Sequence, residues 1–159
     1  MEQPTMEATI RLARQNDAEV LTMIAMSSKQ SNGYDDAFME ACAEELCVTS
    51  ASLDAHEYWV VESGEPCGFV CLEADPDGLA GTVRSFFIEP SWQRRGIGRL
   101  QWTALEGSAR DKGLRLLRLD ADPKAEAFYC ALGFTTVSRV PSGSIPGRTL
   151  PHMQMGLSA

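Results

Sequence analysis

The segment Phe86-Phe87-Ile88-Glu89-Pro90-Ser91-Trp92-Gln93-Arg94-Arg95-Gly96-Ile97-Gly98-Arg99 holds the residues of this sequence best suited to do chemistry. Its aromatic and apolar start reads as a strand, a loop follows, and from Gly96 onward apolar residues recur at helical spacing. The first turn of a helix carries N–H groups without intrahelical partners and a partial positive charge. Gly96 and Gly98 let an anion approach those amides closely, and Arg94, Arg95 and Arg99 add charge beside them. The combination describes a cradle for a diphosphate. Two other phosphate-binding patterns are excluded. A dinucleotide fingerprint needs a third glycine where Gln101 stands, and a P-loop needs Gly-Lys followed by Ser or Thr. A lone Gly-x-Gly, without the strand and the arginines, would do no more than shape a helix start.

The elements around this turn follow from periodicity and punctuation. Thr82 to Ile88 is rich in β-branched and aromatic residues and reads as the strand. From Gly96 to Lys112, Ile97, Leu100, Ala104, Leu105 and Ala109 form one helical stripe, and Gly113 marks its end. Leu114 to Leu119 is a short apolar strand, so this strand–helix–strand unit predicts a right-handed crossover with parallel pairing. Upstream, Ala8 to Ala13 reads as a strand, and Asn16-Asp17 caps a helix carrying Val20, Leu21, Ile24 and Ala25. Ser31-Asn32-Gly33 breaks it from a second helix over Tyr34 to Leu46, with Phe38, Cys42 and Leu46 spaced at four. Tyr58 to Glu62 and Cys67 to Glu73 flank the turn Ser63-Gly64-Glu65-Pro66, and Asp75-Pro76-Asp77-Gly78 turns into the strand at Thr82. Downstream, Asp122-Pro123 opens a helix whose apolar face is Ala125, Phe128, Ala131 and Leu132, and Gly133 closes it. Phe134 to Val140 and Met153 to Leu157 read as final strands. The expected fold class is α+β in three layers: a mixed, mostly antiparallel central sheet flanked by helices, one domain over the 159 residues.

Composition bounds the partners. The formal net charge of −8 argues against a nucleic-acid partner, and it leans weakly toward a cationic ligand such as an amine. No apolar run approaches the roughly 18 residues a membrane span needs. The start, MEQPTMEATI, lacks the positive and apolar stretches of a leader peptide, which makes a cytoplasmic location the expectation. Five cysteines cannot all pair within the chain. On a regular strand Cys67 and Cys71 would share one face about 13 Å apart, too far for a disulfide, so all five read as small apolar residues and no metal is expected.

Gln93-x-x-Gly96-x-Gly98 resembles the acetyl-CoA pyrophosphate signature of the Gcn5-related N-acetyltransferase (GNAT) superfamily. The order of elements from the first strand to Phe134 is similar to that family's as well, which implies the acyl-CoA N-acyltransferase fold. The resemblance implies acetyl-CoA as co-substrate, held by Gln93, Arg94, Arg95, Gly96, Ile97, Gly98 and Arg99. It also implies a bulged strand whose backbone at Phe87, Ile88 and Glu89 faces the acetyl group and the pantetheine arm. Asp122 to Phe134 is similar to the family's later motif, which places Phe128 and Asp122 beside the cofactor. The family commonly has Asn where Asp122 stands, and an acceptor-only carboxylate cannot donate to the pantetheine arm. Tyr129 matches the tyrosine that family members use as general acid for the departing thiolate; the same position also suits a core tyrosine.

A direct attack of a neutral amine in a ternary complex is then expected, and it needs a proton acceptor, because an alkylammonium has a pKa near 10.4. Glu89 is the first candidate base and Glu73 the second, each with an ordinary solvated carboxylate as its alternative. His56 and His152 lie outside both motifs and read as structural or surface residues. For the acceptor, Tyr34, Asp35 and Asp36 either wall a pocket or only begin a helix, and Arg148 either holds a substrate carboxylate or belongs to a plain loop. The acceptor is a small-molecule amine or a protein or peptide amine; a non-catalytic acyl-CoA-binding module is the third reading. The family often forms homodimers.

Overall fold

The structure is a computed structural model that describes residues 8–157. The first seven residues, on which most of the leader reading rests, lie outside the described residues. In chain order the elements are β1 (Thr9–Leu12), α1 (Ala18–Gln30), α2 (Asp36–Leu46), α3 (Ser50–Ala55), β2 (Glu57–Ser63), β3 (Glu65–Ala74), β4 (Ala80–Ile88), α4 (Ile97–Asp111), β5 (Leu116–Asp120), α5 (Glu126–Leu132), β6 (Thr135–Pro141) and β7 (Thr149–Gly156). One seven-stranded sheet runs in the order β1-β2-β3-β4-β5-β7-β6. Only β4 and β5 pair in parallel; every other neighbouring pair is antiparallel. The mixed, mostly antiparallel sheet with helices on both faces is the expected fold class. The final strand β7 enters between β5 and β6, an order that strand periodicity does not encode.

Each face of the sheet buries its own cluster. On the α1 face, Leu21, Ile24 and Ala25 pack on Tyr58, Val60, Phe69 and Cys71. On the other face, Leu105 and Ala109 of α4 pack on Val70, Leu72, Leu117, Leu119 and Met153. The α4 stripe differs from its expected form: Ile97, Leu105 and Ala109 are buried with Gln101, whereas Leu100 and Ala104 are only half-buried. Gln101 is fully buried, its Nε2 donates to the Phe69 carbonyl at 3.4 Å, and its Oε1 has no partner.

Gly68 makes room for this side chain. A Cβ there would stand 2.1 Å from Gln101 Oε1 and 3.1 Å from both the Phe87 carbonyl and Ile97 Cγ2. Gly68→Ala is therefore expected to destabilise the protein by about 2 kcal/mol, because the backbone of β4 cannot give way as a side chain could. Thermal unfolding measures it, and an unchanged melting temperature would show that α4 is free to move off the sheet.

Two bulges change local expectations. Val61 pairs with Gly68 but Glu62 pairs with Pro66, so Cys67 is the extra residue on β3. The bulge turns Cys67 toward Val61 and Ile97, while Cys71 packs on the α1 face. The two thiols therefore do not share a face, which corrects the regular-strand reading; both are free and buried, and Cys42 (buried), Cys47 and Cys130 (both exposed) are free of any disulfide as well. The second bulge lies on β4, where Leu72 pairs with Val83 and Cys71 with Ser85, leaving Arg84 as the extra residue. It therefore precedes the expected position. Phe87 and Ile88 pair regularly with Phe69 and Gly68.

At the first helices the differences are small. Asp35 caps α2 by accepting from the Phe38 amide at 2.8 Å, so Tyr34 stands just outside the helix. α3 was not expected: Thr49 and Ser52 form a capping box over six residues that bury no side chain fully.

Candidate active site

β4 and β5 pair only at Ala80 to Thr82 and then part. The two arms of the resulting V are Val83 to Ile88 on one side and Leu119 to Asp122 on the other. Between them lies a cavity of about 610 Å³. Along the arm of β4 the edge that would face β5 makes no ladder, so free backbone groups come from the splay and not from a bulge; Ile88 is turned to that edge, whereas the Glu89 amide donates to the Cys67 carbonyl at 2.8 Å.

The mouth of α4 opens on this cavity. Gly96 is its N-cap with φ 84°, and no side chain caps the first turn. The amides there are left to a ligand. Arg94, with φ 64°, is the sole non-glycine residue in the left-handed region among the described residues. Such a conformation costs about 1 kcal/mol and is a feature of ligand-binding turns. Gln93, Arg94, Gly96, Gly98 and Arg99 line the cavity. Arg95 does not; its guanidinium stacks on Trp92 at 5.0 Å. Ile97 is 1% exposed and anchors the helix in the core, so only its backbone can serve a ligand. Phe128 lies across the mouth, 3.7 Å from where a Cβ on Gly98 would stand.

On the α4 side of the V, Tyr129 lies among rings at 6.1 Å (Phe86), 5.2 Å (Phe128) and 5.8 Å (Phe134), all edge-on. Burial, helped by the charge of Asp122, holds its phenol well above the ordinary range, so it stays protonated at neutral pH. Tyr129 lines the cavity.

Asp122 is the centre of a charge cluster rather than a free carboxylate. It caps the turn before α5 by accepting from the Lys124 amide at 2.9 Å. It also accepts from Lys29 Nζ at 3.0 Å, the Tyr34 hydroxyl at 2.9 Å and Arg148 at 3.2 Å. Burial works to raise the carboxyl, but the Lys124 amide, Lys29 and Tyr34 more than offset it and hold the group below its ordinary value. Tyr34 stacks on Phe38 at 4.0 Å, and Lys29, Lys124 and Arg148 all lie over its ring. Arg148 also donates to the Tyr34 hydroxyl at 2.8 Å.

The other sequence candidates lie elsewhere. Glu89 is outside the cavity lining, at the turn after β4. Glu73 pairs with Arg84 at 2.8 Å and does not line it either. Tyr34 and Arg148 act on Asp122 from behind the wall, and Asp35 is a helix cap. Lys29, Asn32, Glu45, Ser85 and Asp120 do line the cavity. No local motif singles them out, since they converge from α1, the loop after it, α2, β4 and β5. Among the described residues no group of three or more His, Cys, Asp or Glu could hold a metal ion, and no helix is long and apolar enough to cross a membrane.

The splayed strand pair thus stands beside an uncapped, glycine-opened helix mouth, with unpaired backbone groups on both. The chain belongs to the acetyltransferase (GNAT) family, whose sequence model matches residues 23–134. Over 87 residues it is 33% identical to the aminoglycoside N(6')-acetyltransferase type 1 of Stenotrophomonas maltophilia. That match takes in 48% of this chain and 57% of the relative, so the chain spans little more than half the length of that protein. The fold is similar to that of a GCN5-related N-acetyltransferase from Rhodopseudomonas palustris, with TM-score 0.79, 22% identity and coverage of 99% and 100% of the two chains. It is also similar to the PaiA N-acetyltransferase of Thermoplasma acidophilum solved with coenzyme A, with TM-score 0.75, 19% identity and coverage of 96% and 100%.

Proposed function

We propose that this chain transfers the acetyl group of acetyl-CoA to a primary amine by direct attack in a ternary complex. The observation that carries the reading is the uncapped first turn of α4, which opens beside the free edge of β4. The amides at Gly96 to Gly98, with Gln93, Arg94 and Arg99, hold the diphosphate. Ile88, whose backbone groups turn away from β3, offers the free β4 edge to the pantetheine arm and the thioester carbonyl, and Phe87 lines the cavity beside it. The co-substrate supplies an activated acyl group; the chain supplies orientation, a donor for the leaving sulfur and an acceptor for the amine proton. Tyr129 is the donor.

Direct transfer fits the cysteines. None of the five lines the cavity, and burial pushes the thiols of Cys67 and Cys71 up to about 11 and about 12, far from a reactive thiolate. Asp122 holds Lys29 and Arg148 in place, so both brace the wall formed by α1 and the loop after β6. The test is thiol release from acetyl-CoA over a panel of alkylamines, amino acids, polyamines, aminoglycosides and peptides. The aminoglycosides are in the panel because of the Stenotrophomonas relative. Double-reciprocal lines that intersect are expected, and parallel lines would contradict direct attack. Transfer to peptides alone would move the acceptor to protein amines, and acetyl-CoA binding without release of thiol to any acceptor would leave a binding module.

A further inference from the structure

Three carboxylates line the cavity: Glu45, Asp120 and Asp122. Asp122 is occupied by Lys29, Tyr34, Arg148 and the Lys124 amide and is held ionised. Glu45 reaches to the loop after β6, where Ser144 donates to it at 3.2 Å. Among the described residues the Asp120 carboxylate has a single side-chain partner, His152 Nδ1, at 2.7 Å. The pairing follows from the ladder, because Asp120 and His152 are opposite each other on β5 and β7.

Strand alternation decides which side of the V each group faces. Leu119 and Ala121 point into the cluster beneath α4, so Asp120 between them faces the α1 side. Phe87 packs on the α1 side and Phe86 on the α4 side, which sets Ser85 with Phe87 and Asp120. Tyr129 packs with Phe86 and Phe134 on the α4 side. A thioester lying in the V thus has Tyr129 on one side and Asp120 on the other. Acyl transfer needs this separation, since the nucleophile enters and the sulfur leaves from different sides of the carbonyl carbon.

We propose that Asp120 is the base that deprotonates the incoming amine and that His152 is its positioning residue; this rests on the acetyltransferase reading above. The ammonium gives one proton to the free oxygen of Asp120, which passes it to solvent through its half-exposed edge. The neutral nitrogen forms the C–N bond and the carbonyl π electrons move to oxygen. Collapse breaks the C–S bond, Tyr129 protonates the sulfur, and the second proton of the nitrogen restores the phenol. One proton is released per amide formed. His152 orients the carboxylate: Gln154 Nε2 meets its Nε2 at 3.4 Å as a donor, which leaves the proton on Nδ1, directed at Asp120.

The experiment compares two acceptor probes, an alkylamine such as benzylamine and hydroxylamine, which is uncharged at neutral pH and has no proton to lose before it attacks. Asp120→Asn should lower kcat for the alkylamine about 100-fold and that for hydroxylamine less than tenfold, with acetyl-CoA affinity unchanged by calorimetry. His152→Ala should lower the alkylamine kcat about tenfold without raising its KM, and His152→Gln, whose amide can still donate to Asp120, should restore most of it. Where neither probe is accepted, hydrolysis of acetyl-CoA by water is measured instead, since water must also lose a proton, and Asp120→Asn should suppress it. Equal losses with both probes, an undiminished rate, or loss of acetyl-CoA binding in Asp120→Asn would each overturn the assignment. Wild-type protein that binds acetyl-CoA but releases no thiol to amine or water would refute the acetyltransferase reading instead.

Discussion

Tyr129→Phe will lower turnover by a factor of about 100 to 1,000 while leaving the dissociation constant of acetyl-CoA within twofold of its wild-type value. The substitution deletes one oxygen and one proton. The ring contacts with Phe86, Phe128 and Phe134 remain, so the fold and the cofactor site should be untouched. Burial holds the phenol above its ordinary range, which by itself makes it a weaker acid. The same dry surroundings also raise the proton affinity of a thiolate leaving there, as burial does for Cys67 and Cys71, so donor and acceptor stay matched. A further consequence is that Tyr129 stays protonated across the neutral range and contributes no alkaline limb there. Steady-state kinetics with calorimetry on both proteins makes the test, and unchanged turnover would remove the acid role.

Asp122→Ala has the largest expected effect on stability, about 2–3 kcal/mol. It strips the cap from the turn before α5 and leaves Lys29, Arg148 and the Tyr34 hydroxyl without their shared acceptor. Asp122→Asn keeps an acceptor for the Lys124 amide but loses the charge, and should fall about halfway. The sign with pH follows from the depressed carboxyl. Its contribution is complete above the ordinary Asp value near 3.9 and is lost as pH falls through the lower folded value. Asp17, depressed by Arg11, acts in the same direction. Urea midpoints of the wild type should therefore be level from about pH 7 to 5 and fall below about pH 4, with a smaller fall in Asp122→Ala. Equal acid sensitivity of the two proteins would show that the cluster adds nothing to folding.

The strand, turn and helix around Gln93 to Arg99 were legible because their information is local: a β-branched and aromatic run, two glycines and a helical stripe within one stretch of chain. The helix that carries Tyr129 was legible for the same reason, since Asp122 caps the turn before it and Gly133 ends it. The bulges at Cys67 and Arg84 were not, since an inserted residue reverses side-chain direction without changing residue type. α3 was missed because its residues carry no apolar stripe, only a capping box. The Asp122 cluster joins positions 29, 34, 122, 124 and 148, and nothing but the folded chain brings them together. The pairing of Asp120 with His152 depends on β7 entering beside β5 instead of following β6 at the edge. A histidine that looked like a surface residue thereby reaches a cavity-lining carboxylate.

The most direct test of the cradle is a calorimetric titration of coenzyme A into the wild type and into Gly98→Asp. A side chain at Gly98 would meet only ordinary contacts, 3.5 Å to Ile88 and 3.7 Å to Phe128, and a carboxylate in the first turn favours the helix itself. The wild type is expected to bind coenzyme A, and Gly98→Asp to lose that binding with its melting temperature unchanged or raised, because the new charge occupies the diphosphate's place. Absence of binding by the wild type, or equal binding by both proteins, would contradict the assignment of the α4 mouth as the cofactor site.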